Sequence, residues 1–267
     1  MAAVHRRFAD ADPELSNGFA EHVPMGADAL LALGVEAERV VQWAARHEPT
    51  PLAAGGPVAV LRHNLLDDLA SDPWPVVVER ELATLAPFVG AHLFHGLIRT
   101  AHAVRTLRDH VDEGALRELA TGLAAWRRWA ARDTGAGEPA ARALEGSRDP
   151  VEQILDAAVR GAGAFVRKSS IFTLHAVTAP MAFLLLADVV DPASQRVAAA
   201  AFARTHRPHG SPAWSGAPLS RPSAAAVATL SDHWDAHPAK LVEAALRGHE
   251  QTGDAAFLEA VAAIMAQ

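Results

Sequence analysis

The sequence has no cysteine and no tyrosine. Without thiols it can form no disulfide, no thiolate-held zinc or iron–sulfur site and no cysteine nucleophile. Without phenols it has no tyrosine acid or radical. Lysine is almost as scarce: among 24 basic residues only Lys168 and Lys240 are lysines. There is no basic tract, the formal charge is −7 and the pI about 6.0, so nucleic acid is not an expected partner. Long apolar runs are also missing. The longest, Ala176 to Val190, is interrupted by Thr178, Pro180 and Asp188, and it suits a buried helix better than a membrane span. The first ten residues lack the apolar core of a signal peptide, which sets the expectation of a soluble, cytoplasmic protein. No Gly-x-Gly-x-x-Gly fingerprint occurs, so neither a flavin nor a nicotinamide has an evident home.

What is present is alanine, arginine and histidine. The excess of alanine and of arginine over lysine fits a GC-rich genome, which makes the persistence of Lys168 and Lys240 the more notable. Half of the 267 residues are hydrophobic, enough for a sizeable core. Helical periodicity dominates. Residues 1–23 look irregular, with Pro13 and Asn17-Gly18. Two short helices broken at Gly34 follow, then a stripe of Val58, Leu61, Leu65, Leu66 and Leu69. The segment 76–85, a long helix over 90–111 and another over 116–131 continue the pattern. A loop is expected over 133–147, and Asp149-Pro150 caps the next helix. Residues 164–190 are apolar nearly all round and read as one central buried helix, kinked or broken at Pro180. Helices over 194–205, 224–237, 239–248 and 255–266 complete the chain, with the longest loop, 206–222, rich in proline. No alternating strand pattern appears. The expectation is a single all-α domain, 1–267, of about ten helices.

Fourteen histidines are many for this length. His5, His47, His92, His110, His206, His209 and His249 fall at termini, loops or polar helix ends, and His63 lies in an amphipathic helix. Others sit in apolar surroundings. His22 precedes an apolar helix start. His95 and His102 are seven apart with Arg99 between them, all on one helical face. His175 lies in the buried run, and His237 follows His233 by four and precedes Pro238. A single histidine of this kind is most simply a core residue bonded to a carbonyl. Several in separate apolar helices point to a metal site, because neutral imidazole is the commonest metal ligand and helical bundles build such sites from inward side chains. Lys168 and His175 are two turns apart and share a face if the helix is continuous. Lys168 either snorkels to solvent beside Arg167 or, as a neutral amine, takes up carbon dioxide to become an anionic carbamate ligand. Arg99 has an alternative as well, a buried ion pair with Asp67 or Asp68. Trp214 and Trp234 could line an aromatic pocket.

Four segments resemble a known family. They are His22-Val23-Pro24-Met25 with Ala29 to Gly34, Phe94-His95 through Arg99 and His102 to Arg105, Lys168 through His175 to Thr178, and Asp235-Ala236-His237-Pro238-Ala239-Lys240 to Ala244. In order and spread they resemble the questin oxidase-like family, in its short bacterial form. The resemblance implies oxidation in aromatic polyketide metabolism: oxidative ring opening, formally like a Baeyer–Villiger reaction, with dioxygen and a small aromatic substrate as partners. It also implies a non-haem iron site held by four histidines and a carboxylated lysine. Carried over, the ligands are His22, His95, His175 and His237, with Lys168 as N6-carboxylysine. His102 becomes the candidate general base, and Arg99 the candidate anchor for a substrate phenolate or carboxylate. The chain departs from the longer fungal members, which carry a second histidine where Arg99 stands. Two other classes compete. One is a metal-dependent hydrolase with a carboxylated lysine. The other is a non-catalytic helical module for a hydrophobic ligand.

Overall fold

A computed structural model describes residues 1–133, 148–205 and 219–267. The expected loop at 133–147, most of the expected loop at 206–222, and Trp214, His206 and His209 lie outside the described residues. The part of that second loop that is described, 219–222, has no regular structure. The described residues form an all-α fold without strands. Its helices are α1 (Ala2–Phe8), α2 (Val23–Ala32), α3 (Ala37–Ala45), α4 (Pro57–Ser71), α5 (Trp74–Leu85), α6 (His95–Asp109) and α7 (Glu113–Arg132). After the first gap come α8 (Pro150–Arg167), α9 (Ile171–Leu184) and α10 (Pro192–Thr205), and after the second α11 (Ala224–Ala228), α12 (His237–Thr252) and α13 (Ala255–Met265).

Thirteen helices replace the expected ten or so, and the differences have physical causes. The first turn of the supposed irregular arm is α1. At seven residues it is too short to hold itself together, and it depends on burying Val4, His5 and Phe8. Gly34 does separate α2 from α3, at φ +84°. Asp149 caps α8 as expected, accepting from the Val151 N–H at 2.8 Å.

The long run 164–190 is not one helix. It breaks after Arg167, and Ser170 starts α9 with a capping box in which its side chain and that of Thr173 each accept the other's backbone N–H. That box ends any helical register between Lys168 and His175. Pro180 interrupts nothing: α9 runs through it. Pro180 has no N–H to offer the carbonyl four residues back, that of Ala176, and this carbonyl lies against Gly161 of α8. A Cβ on Gly161 would sit 2.1 Å from the Ala176 oxygen, so only glycine lets α8 and α9 approach this closely.

Two apolar clusters share the interior. One gathers Leu65, Val78, Leu97, Leu123, Trp126 and Phe202, the other Val23, Leu30, Trp43, Phe165, Leu241 and Phe257. Helix α9 feeds both, with Ala182 and Phe183 on one side and Val177 and Met181 on the other. It is the central helix that its unbroken apolar character implied, although shorter than expected.

A Gly161→Ala substitution should force α8 and α9 apart. We expect a loss of about 3 kcal/mol, read by urea denaturation, with a displaced His175 ring. A variant as stable as the parent would contradict the close approach.

Candidate metal centre

Four histidines from four helices meet in the interior. His22 is the N-cap of α2, His95 and His237 are the first residues of α6 and α12, and His175 is the fifth of α9. One nitrogen from each lies within 4.8 Å of all the others. The rings form a closed circuit: centroids are 4.8 Å apart for His22–His95, 4.7 Å for His95–His175, 5.4 Å for His175–His237 and 4.4 Å for His237–His22. These are the four histidines that the family resemblance singled out.

Local structure aims each ring. The chain ahead of His95 passes through three consecutive left-handed residues, His92, Leu93 and Phe94, at φ 47°, 55° and 67°. The sequence pattern suggested a helix running straight through them. Such residues cost about 1–3 kcal/mol each. Packing holds them: His92 stacks on Trp129 at 4.2 Å and Phe94 stacks on Phe202 at 6.0 Å. The result is that the His92 carbonyl turns back and accepts from His95 Nδ1 at 2.6 Å. His175 Nδ1 donates to the Ile171 carbonyl at 2.7 Å, and His237 Nδ1 donates to Asp235 Oδ1 at 2.6 Å. Glu21 fixes the start of α2 by accepting the Val23 N–H at 2.9 Å. Gly26 lets α2 come down on Ala236, where a Cβ would stand 2.7 Å from the alanine methyl.

With Nδ1 of three rings committed as donors, their Nε2 atoms carry the lone pairs. His175 Nε2 and His237 Nε2 are buried and have no hydrogen-bond partner. His95 Nε2 faces His22 Nε2 at 2.9 Å. Two nitrogens at right angles around one ion, each about 2.1 Å from it, would be about 3 Å apart, so the His22–His95 pair has the spacing of two ligands on one metal ion. An imidazole N–H from His22 occupies the same line when no ion does.

The local field favours neutral rings. Burial pushes His22, His95 and His237 down, and the positive charge of Lys240 adds to it; His175 falls to about 3 from the same two causes. The N-termini of α2, α6 and α12, each with its positive dipole end, lie at the spot as well. Burial would raise the Asp235 carboxyl, but its bonds from His237 outweigh that and hold it at about 2.

Lys168 is not buried with the cluster. That residue is the exposed C-cap of α8, and its carbonyl accepts from Thr173 Oγ1 at 2.7 Å. The capping box between it and His175 removes the shared face. The buried lysine is Lys240, three residues after His237 on α12, 1% exposed, with an Nζ that has no hydrogen-bond partner. Burial lowers it to about 7, against a small opposing pull from Asp235. Its rarity and its place beside His237 were visible in the sequence; its burial was not.

Arg99 and His102 are engaged elsewhere. Arg99 is buried and gives Nε and Nη2 to the two oxygens of Glu118 at 2.7 and 2.9 Å. Its partner is thus neither Asp67 nor Asp68, and its third nitrogen, Nη1, is buried without a hydrogen-bond partner. His102 Nδ1 bonds to Asp28 Oδ2 at 2.6 Å. Trp234 is 64% exposed, its ring tilted on His47. No helix among the described residues is long and apolar enough to cross a membrane.

No family model, curated protein or solved structure matches the chain.

The lowered imidazoles make acid destabilising. Below the ordinary value of 6.5 the unfolded chain takes up protons that the folded His22, His95 and His175 refuse. Stability therefore falls as the pH drops from 6.5 toward about 3, by up to about 1.4 kcal/mol per pH unit for each such ring. Thermal melts of the metal-free protein should show a steep decline between these limits, flattened in His175→Asn. Equal slopes in parent and variant would contradict the buried neutral ring.

Proposed function

We propose that the protein is a mononuclear non-haem iron oxidoreductase that uses dioxygen on a small aromatic, polyketide-type substrate. The proposed outcome is ring opening by C–C cleavage or a Baeyer–Villiger-like oxidation, as the resemblance to the questin oxidase-like family implies. The observation that carries the metal reading is the orientation of the imidazoles: three Nδ1 atoms are tied down, and the Nε2 atoms of all four rings are gathered in one buried place. One such cluster suits one ion. That favours the mononuclear reading over the dinuclear hydrolase.

His22, His95, His175 and His237 would hold the iron, which supplies the redox chemistry with dioxygen that no side chain of this protein has. Lys240 takes the role first given to Lys168. As an ammonium ion it would repel a cation at the cluster. Held near pKa 7 by burial, it is substantially a free amine at neutral pH. Its nitrogen lone pair can form an N–C bond to carbon dioxide, one C=O electron pair shifting onto oxygen and one N–H proton leaving to solvent. The product is a carbamate anion. A repelling charge becomes an attracting one, the N-termini of α2, α6 and α12 favour it, and the Nζ without a partner gains an oxygen donor. Asp235, by accepting from His237, raises the basicity of that ligand. Glu118 pairs with two nitrogens of Arg99 and leaves Nη1 without a partner, and Asp28 holds His102 by its Nδ1.

The test is metal analysis of protein purified without chelator, together with carbon-13 NMR after labelled bicarbonate. The parent and Lys168→Ala should each hold about one iron per chain and show a carbamate resonance. Lys240→Met should lose the resonance and bind iron at least about tenfold more weakly. Full iron occupancy and full oxidation of an aromatic substrate in Lys240→Met would sink the carbamate; absence of iron from the parent would sink the oxidase.

A further inference from the structure

Each helix that carries a histidine of the cluster carries, farther along, a member of a second buried polar layer. Asp28 lies six positions after His22 on α2, the Met181 carbonyl six after His175 on α9, and Glu243 six after His237 on α12. On α6, His102, Arg105 and Thr106 follow His95. Six residues of helix span about 9 Å, so on α2, α9 and α12 the second layer lies nearly two turns past the first, while Arg105 stands ten residues past His95 on α6 and its long side chain bridges the difference.

Arg105 is its hub. Its Nε and Nη2 donate to Asp28 Oδ2 at 2.8 and 2.5 Å, and its Nη1 donates to Glu243 Oε1 at 2.5 Å. Glu243 also accepts from Arg247 Nε at 2.9 Å, and Arg247 Nη1 donates to the Met181 carbonyl at 2.7 Å. Asp28 accepts from His102 at 2.6 Å and from Thr106 Oγ1 at 3.2 Å. One chain of charge-assisted bonds therefore joins α2, α6, α12 and α9, the four ligand-bearing helices. Two carboxylates meet two guanidinium groups, so the layer is balanced in charge.

Stability alone does not account for it. Well-packed apolar side chains hold helices together at least as well as a buried ion network, which must first be desolvated. What the ions add is direction. A planar fork held at three nitrogens fixes rotation and register in a way that interchangeable apolar contacts do not. Metal ligands need that, because a site loosened by an ångström loses affinity.

We propose that Arg105 is a positioning residue for the four-histidine centre: it locks α2, α6 and α12 at the register in which the Nε2 atoms converge. As regards the metal, it rests on the function proposed above.

Arg105→Lys keeps the charge and loses the fork. Arg127→Lys is the control. Arg127 holds the buried Glu81 across α7 and α5, and neither helix bears a ligand. Titration with cobalt(II), followed by its visible spectrum, should show binding weakened about tenfold and an altered spectrum in Arg105→Lys. Arg127→Lys should match the parent in both. Parent-like cobalt binding in Arg105→Lys, or an equal loss in Arg127→Lys, overturns the proposal. If Arg105→Lys does not fold, Glu243→Gln replaces it with the same expectations. A parent that binds no cobalt sinks the metal reading alone, and positioning is then decided on the metal-free protein by proton–nitrogen NMR of the imidazoles. Shifts of the His95, His175 and His237 Nδ1–H signals in Arg105→Lys, absent from Arg127→Lys, support it. Unmoved signals overturn it.

Discussion

An imidazole has two nitrogens, and the centre of this protein depends on which of them is left free. Three acceptors decide it: the His92 carbonyl, the Ile171 carbonyl and the Asp235 carboxylate each take an Nδ1–H. Of the nitrogens that remain, His95 Nε2 faces His22, and those of His175 and His237 are buried without a partner. Such a set is costly to leave unpaired in a dry interior. The fold nonetheless tolerates a left-handed stretch at residues 92–94 to supply one of those acceptors. That is reasonable only if the inward nitrogens serve something other than stability.

The charges around the cluster follow a consistent plan. Helix N-termini and a buried lysine make the spot electropositive and keep the rings neutral. A metal cation alone would meet that field as a like charge. The field is relieved if the lysine becomes an anion, which links the one unpartnered buried amine of the cluster to the metal. The acids nearby are committed differently. Asp235 sits behind His237, Glu118 neutralises Arg99, and Asp28 and Glu243 belong to the layer organised by Arg105. None of the described acids is among the four clustered residues, and under the proposed function the negative charge would come from a carbamate on Lys240.

Much of the site was legible in the sequence. His22, His95, His175 and His237 each stood out by lying among apolar residues, as His102 did, and a histidine in such surroundings is either satisfied or a ligand. The lysine was misplaced because helical spacing was extended across Lys168-Ser169-Ser170, where a serine competes with the helix for backbone donors. A capping box is written in local chemistry, yet an apolar flank on each side masked it. Asp235, beside His237, could have been flagged by its two-residue offset. The Arg105 layer could not: Asp28, Arg105 and Glu243 are scattered charges until packing joins them.

The sequence by itself determined that the protein is helical, that α9 is central, where most helices start and stop, and that several histidines lie among apolar residues. Those features rest on periodicity, capping and composition, which act over a few residues. Tertiary structure alone decided which lysine is buried, how the turn at 92–94 is held, which acids pair with Arg99 and Arg105, and that the four histidines meet at one point. These depend on contacts between residues tens to hundreds of positions apart. Burial and pairing are properties of the packed interior, and no local pattern encodes them.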